Sequence, residues 1–464
     1  MPVATITLES LDGGTVVDSV VVSAANDDFL SDDIILDTSP DGIYDTAFTV
    51  RTLSGAFQPG GRIVGDTVPI REMVLPFHLT PASRPRFQRL WGTPGNFRKV
   101  RYHYDGPSGR RSLTLRLSKQ IAYQTEDGFD AAIDDNYHAV VSAIAVNPNF
   151  EGAEDVAEWL NPGNFTFFLA ATSGTYKLGY AGELTSPIAY NADAATIQAA
   201  LEALSTIGAG NVTVTGSGSK FTALTPATRP GMLTIDGTAL TPISFSITVG
   251  TLNYTLTYGG QTTAPIGFLS SAATIKQALE QLSNIGTGGV TVTATLFGFT
   301  LSFSTGSIIA LLTGKSTAGF HVAYVTANPN TGWFDVWNPT DQDLWLEWEL
   351  DPAKQWQFPD FAFNGAERKF GRPAGADAAR MIVTPELVKM LSVMADPFMD
   401  TYVSADLSNA AGLFNGVEPR YPVPQYTGTE DDPVLMPVVC TGPAGAKATL
   451  SQRRFWSAES GLEA

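Results

Sequence analysis

Apolar and polar positions alternate along much of this chain with the two-residue period of a β-strand. SLTLRLS at 112–118 sets Leu113, Leu115 and Leu117 against Thr114, Arg116 and Ser118, and DLWLEWEL at 343–350 sets Leu344, Leu346, Trp348 and Leu350 against Trp345, Glu347 and Glu349. Each predicts a strand with one face buried. Helical spacing is rarer. Phe87, Leu90 and Trp91 before Gly92 predict one helix, and Leu387, Met390, Leu391 and Met394, between Thr384-Pro385 and Pro397, predict another. The 44 Gly and 29 Pro suit many short strands joined by turns.

The middle of the chain repeats itself. YKLGYAGELTSPIAYNADAATIQAALEALSTIGAGNVTVT from Tyr176 aligns without a gap to YTLTYGGQTTAPIGFLSSAATIKQALEQLSNIGTGGVTVT from Tyr254, and Pro265 minus Pro187 and Val290 minus Val212 both give 78. A constant offset over this length indicates duplication. Each copy predicts a strand (Tyr176, Leu178, Tyr180; Tyr254, Leu256, Tyr258), a helix (Ile197, Leu201, Leu204; Ile275, Leu279, Leu282) and a second strand, VTVT. Asn191 or Asp193 caps the first helix and Ser270 or Ser271 the second, with Gly208 and Gly286 as left-handed stops.

Charge divides the chain along the same lines. Residues 1–60 hold ten acids and one base, Arg51, whereas residues 84–119 hold Arg84, Arg86, Arg89, Arg98, Lys99, Arg101, Arg110, Arg111, Arg116 and Lys119 against Asp105 alone. These opposed segments pair within a subunit, join neighbouring copies, or are solvated surfaces. Residues 170–330 are almost neutral, with five acids and five bases, and charge returns from 331 with 19 acids, 10 bases and six of the eight Trp. An inserted module inside an older fold accounts for these shifts. The 464 residues and 44% apolar content exclude wholesale disorder, and the lone Cys440 excludes a disulfide scaffold. A net charge of −18 disfavours free binding to nucleic acid. No run approaches the ~20 apolar residues of a membrane span, and MPVATITLES lacks the pattern of a signal peptide, so synthesis in a cytoplasm is expected.

Chemistry-bearing patterns are weak. Asp27, Asp28, Asp32 and Asp33 lack the Gly and bidentate Glu of a calcium loop, and GSGSK at 216–220 lacks Walker spacing and a following helix, so it reads as a turn. Glu347 and Glu349 are a candidate hydrolase pair, although a half-exposed strand places acids this way without catalysis. His78, His103, His138 and His321 are far apart in sequence, which argues against a structural zinc site. Cys440, in VLMPVVC, reads as a small buried hydrophobe. The arginine segment, interleaved with Phe87, Trp91, Phe97, Tyr102 and Tyr104, is the one candidate nucleic-acid surface, with the aromatics more simply read as core. No cofactor is expected.

Three stretches near the carboxyl end, VWNPTDQDLWLEWEL at 336, FNGVEPRYPVPQY at 414 and ATLSQRRFWSAESGLE at 448, resemble the distal tail (minor tail) proteins of long-tailed phages infecting actinobacteria. RTLSGAFQPGGRIVGDTVPIREMVLPFHL at 51 and LTLRLSKQIAYQTEDG are similar to the ring-forming domain of that family, and the duplication resembles a short module of phage tail and bacterial surface proteins. The resemblance implies a non-enzymatic virion protein at the tail tip: a hexameric ring joining tail tube to hub and fibres, through which DNA passes without specific binding. Its self-contacts are expected from Arg84, Arg86, Arg98, Lys99, Arg101, Arg110 and Arg111, and the acids of residues 1–60 are expected to line the lumen. The fold expected is mainly β. A ring-forming domain occupies 1–150, and a β sandwich assembled from 151–169 and 331–464 is interrupted by a two-copy α+β insertion at 170–330, with repeats at about 174–251 and 252–329. Two other readings stay open: an adhesin in which Tyr180 and Tyr258 contact host cell-wall glycan, and a glycan-cleaving enzyme.

Overall fold

The computed structural model describes residues 4–24, 33–44, 46–54, 60–124, 137–242, 245–249, 253–295, 298–303, 306–308 and 323–462. The protein is mainly β, with 49% strand against 9% helix and, among the described residues, three α-helices. The described apolar side chains gather into four separate clusters rather than one core.

The first cluster belongs to an antiparallel sheet whose strands run in the order Thr15–Ser23, Thr5–Asp12, Lys99–Gly106, Gly109–Leu117, Tyr137–Ala145, Arg71–Leu79 and Ile34–Leu36. Alternation does the work predicted for it: Leu113 and Leu115 point inward and Thr114 and Arg116 outward. The helix Arg84–Trp91 has Pro in its first turn and buries Phe87, Leu90 and Trp91 against this sheet. Ser10 Oγ donates to the Leu90 carbonyl at 2.7 Å, which ties the last turn down.

Both repeats form the predicted strand, helix, strand unit. The helices Ala194–Glu202 and Ala272–Glu280 start 272 − 194 = 78 residues apart, the offset of the sequence repeat. Asp193 and Ser271 are the caps, accepting from the Thr196 and Thr274 amides at 2.9 and 3.3 Å. Gly208 (φ 78°) and Gly286 (φ 70°) end each turn in the left-handed region, where a Cβ is strained. Each copy has its own core. The first also draws in strands from either side of it: Gly163–Leu169 pairs with Lys220–Thr225 and with Ala323–Ala327. Residues 163–169 were expected in the sandwich, but Phe165 and Phe167 face the first repeat's apolar face, which needs them as a lid.

The last cluster lies between two sheets, one ordered Asp155–Leu160, Lys447–Gln452, Leu346–Leu350, Leu391–Met394 and Tyr402–Ser404, the other Pro329–Val336, Val434–Thr441, Gln355–Pro359 and Met381–Val383. Phe334, Trp348, Trp356, Val438 and Leu450 meet there as a β sandwich. The helix predicted over Leu387–Met394 does not form. Leu391 and Val393 enter the core as alternate residues of a strand that pairs with Leu346–Leu350, and Leu387 exchanges backbone hydrogen bonds with Ala353. In period two Leu391 shares its face with Val393, which the helical reading left out, and pairing with Leu346–Leu350 on one side and Tyr402–Ser404 on the other selects the strand. A buried polar clamp holds the adjoining loops. Asp360 pairs with Arg380 and accepts from the Arg420 and Tyr421 amides at 2.9 and 3.0 Å, while Asp377 accepts from Tyr421 Oη at 2.7 Å and pairs with Arg372 at 2.7 Å.

The carboxyl-terminal segment returns to the first sheet. Phe455 and Trp456 pair with Glu151 and Phe150. Arg71, buried in the first sheet, donates to the carbonyls of Pro148, Gly42, Ile43 and Ser457. Arg111, 1% exposed, donates to Ala458 O at 2.8 Å and Gly461 O at 2.7 Å and lies over the Trp456 ring at 4.4 Å. Arg111→Met is expected to leave those carbonyls without a donor and to lower the unfolding free energy by about 2–4 kcal/mol in a urea titration; Arg111→Lys, which restores one donor group but not the fork, should fall between.

Candidate assembly surface

The arginine segment is largely turned toward its own chain. Arg84 lies over the rings of Tyr123 (4.6 Å) and Tyr137 (4.8 Å). Arg86 pairs with Asp18 at 2.9 Å, and its hydrogen bond holds that carboxyl below its ordinary range. Arg110 grips Asp105, its cross-strand neighbour, through both oxygens at 2.7 and 2.9 Å. Arg111 is the tail anchor described above. Arg101 is half-buried, and Arg98 reaches the Arg89 carbonyl at 3.4 Å, beside the exposed Lys99. Of the seven cations expected at a self-contact, Arg111 is buried, and Arg84, Arg86 and Arg110 are engaged within the chain by the Tyr123 and Tyr137 rings, Asp18 and Asp105. Lys99, which opens the strand Lys99–Gly106, is exposed, and Arg98 beside it is half-buried.

The apolar counterpart of that face lies elsewhere. Strands Thr49–Leu53 and Arg62–Thr67 form a two-stranded antiparallel hairpin that pairs with no third strand among the described residues. On it and beside it, Phe48 (68% exposed), Val50, Leu53, Ile63 (71%), Val64, Val68 and Ile70 all face solvent. Two-stranded hairpins are marginal alone and gain stability when a third surface covers them. Among the described residues the strand Thr15–Ser23 forms a ladder on one side, with Thr5–Asp12, while its other side lies near Ile34–Leu36 as the sheet nearly closes on itself, and Val16, Val17 and Val21 are exposed. The sequence signal for the hairpin was present in VRTL and RIVGDTV, but nothing in the pattern says that these residues face outward.

The remaining candidates resolve individually. Tyr180 and Tyr258, expected as glycan contacts, are 0% and 2% exposed. Tyr180 Oη donates to Arg229 O at 2.6 Å and Tyr258 stacks on Phe303 at 4.6 Å, so both rings are core, the inward positions of alternating strands. GSGSK is the hairpin turn between Thr213–Ser217 and Lys220–Thr225, with Gly218 at φ 65°. Asp27, Asp28 and Asp32 lie outside the described residues, and Asp33 is exposed. Glu347 and Glu349 share the solvent face of their strand, next to Arg453, which lies 3.7 Å from Glu347 and 3.3 Å from Glu154. Burial raises the Glu347 carboxyl above its ordinary range against the pull of Arg453. The arrangement is a charge-paired sheet face open to solvent. His78 and His138, remote in sequence, are direct cross-strand partners, and Asp37 reaches both; sequence spacing concealed this because three different strands carry or precede the residues.

The described residues make a mainly β chain of four small cores with an uncovered apolar hairpin. No protein-family model matches the sequence, and no curated protein does. Among solved structures the chain is similar to the SPP1 Dit (gp 19.1) protein, titled a paradigm of the hub adsorption apparatus in phages infecting Gram-positive hosts, with 7% identity over 97% of this chain and 98% of that one, at a TM-score of 0.38. It is also similar to a chain of the phage p2 baseplate in its activated conformation with Sr, at 10% identity, 97% and 98% coverage and a TM-score of 0.35. A chain from Mycobacterium phage Patience aligns at 19% identity over 52% of this chain and 90% of its own, with a TM-score of 0.16.

Cys440 is fully buried between the sandwich sheets, and burial pushes its thiol up to about 12. The thiolate is the reactive form, so at pH 8 a disulfide reagent is expected to label the native protein only as fast as it unfolds, and immediately in denaturant.

Proposed function

We propose that this chain is a structural subunit of a phage tail tip that assembles with copies of itself into a ring, joining tail tube to hub and fibre proteins. The observation that carries the self-assembly is the uncovered hairpin Thr49–Leu53/Arg62–Thr67. A soluble monomer gains nothing from holding Phe48, Leu53, Ile63 and Val64 in water, whereas a second copy of the chain covers them. A closed ring repeats one contact between two different faces of each subunit. The hairpin is one such face, and the outward valines Val16, Val17 and Val21 of the strand Thr15–Ser23 belong to the other. Arg98 and Lys99 supply charge at the rim of the contact, where they steer association more than they strengthen it.

The tail-tip assignment rests on the motif resemblance at 51–79, 336–350, 414–426 and 448–463. Passage of DNA without specific binding accords with the net charge of −18. Among the described acids of residues 1–60, Glu9, Asp18 and Asp37 are held by His103, Arg86 and the His78–His138 pair, while Asp12, Asp33 and Asp41 are exposed. The glycan-binding alternative has lost the two tyrosines on which it stood.

Native mass spectrometry tests the reading. The unaltered chain is expected to form a closed multimer, and Leu53→Glu/Ile63→Glu, at exposed positions that leave the cores intact, should shift it to monomer. A monomeric unaltered chain, or a multimer indifferent to the double substitution, would remove the hairpin from the contact. Arg98→Glu/Lys99→Glu should slow assembly with a marked salt dependence while the final mass is kept.

A further inference from the structure

Asp37, His78 and His138 meet on the outer face of the first sheet. His78 and His138 occupy opposed positions of neighbouring antiparallel strands, and Asp37 follows the strand Ile34–Leu36 that pairs with the other side of His78's strand. The Asp37 amide donates to Pro76 O at 2.9 Å, which fixes its backbone against the same strand. Its Oδ1 accepts from the Thr38 amide at 2.6 Å and Thr38 Oγ1 at 3.2 Å, leaving Oδ2 directed at the two rings. Oδ2 lies 3.3 Å from His78 Nε2 and 3.2 Å from His138 Nε2, and one ligand atom from each of the three side chains lies within 4.8 Å of the others. The rings are inclined by 46° with centroids 5.2 Å apart, converging rather than stacking.

We propose that these three side chains form a binding site for a divalent transition ion of the zinc type, with two imidazole nitrogens and one carboxylate oxygen as ligands and water in the fourth position. Bond lengths of about 2.0–2.1 Å to nitrogen and oxygen place tetrahedral ligands roughly 3.3 Å apart, the separation that Oδ2 already keeps from both nitrogens. Two imidazoles with one carboxylate suit Zn²⁺, Co²⁺ or Ni²⁺ and are a poor set for Ca²⁺ or Mg²⁺, which take all-oxygen shells. Thr38 acts as the outer support, fixing the carboxylate's second oxygen so that the first stays aimed. All three side chains are partly exposed, which gives the ion a path in and room for its water. The ligands come from three neighbouring strands of one sheet, so binding would staple the edge strand Ile34–Leu36 to the sheet interior. This inference is independent of the ring assignment.

Isothermal titration of the full, tag-free chain with Zn²⁺ after chelator treatment tests it. One equivalent is expected to bind, Ca²⁺ should give no heat above dilution, and Co²⁺ should develop the visible absorption of a low-coordinate site. His138→Ala and Asp37→Asn should each weaken Zn²⁺ binding by more than about 10-fold, and Thr38→Val by less. Circular dichroism melts confirm that the variants are folded; because His78 and His138 lie on the solvent face, His78→Gln provides a second variant if His138→Ala does not fold. Absence of saturable Zn²⁺ binding, or binding that survives in folded His78→Gln and Asp37→Asn proteins, would overturn the proposal.

Discussion

The whole arrangement depends on two buried guanidinium groups that draw their hydrogen-bond partners from the far end of the chain. Arg71 and Arg111 stand in the first sheet, and apart from Thr46 Oγ1 the hydrogen-bond acceptors around them are backbone carbonyls, three of them at Ser457, Ala458 and Gly461, more than three hundred residues away. A buried cation without partners costs several kcal/mol, so the first sheet is complete only when the end of the chain has returned to it. Carbonyls serve this purpose without titrating, and the fork of arginine spans two of them at once. The strand pair Phe150–Glu151 with Phe455–Trp456 then extends the same junction with backbone hydrogen bonds. The long excursion through repeats and sandwich is thereby closed into a loop that starts and ends at one sheet.

That closure has a consequence for how function is distributed. The apolar side chains of the described residues fall into four clusters, and the strands flanking the first repeat, Gly163–Leu169 and Ala323–Ala327, lie side by side in its sheet. What the cores do not absorb is a hairpin of outward apolar side chains outside the first sheet and a histidine–carboxylate cluster on it.

Period-two alternation, the 78-residue offset and the cap residues were legible along the chain, because each is set by neighbours within a few positions. The strands around Leu113 and Trp348, the helix ending in Trp91, and both repeat helices with their Asp193 and Ser271 caps follow from local rules. The helix read at Leu387–Met394 was overruled by an available sheet edge, a partner no local window contains. Tyr180 and Tyr258 show the same limit from the other direction: a large aromatic at an alternating position is equally written for core or for ligand, and only packing against Arg229 and Phe303 decides it.

The sequence by itself determined that the chain is rich in strands, where the duplication lies and that charge is segregated, since periodicity, repetition and composition are properties of order along the chain. The tertiary structure alone decided which charges meet. It turned Arg86 and Arg110 onto Asp18 and Asp105, sent Arg111 to the chain's end, and brought Asp37, His78 and His138 within bonding distance. Electrostatic and coordinate interactions act over a few ångströms of space, and separation along the chain carries no record of that distance until the strands have paired.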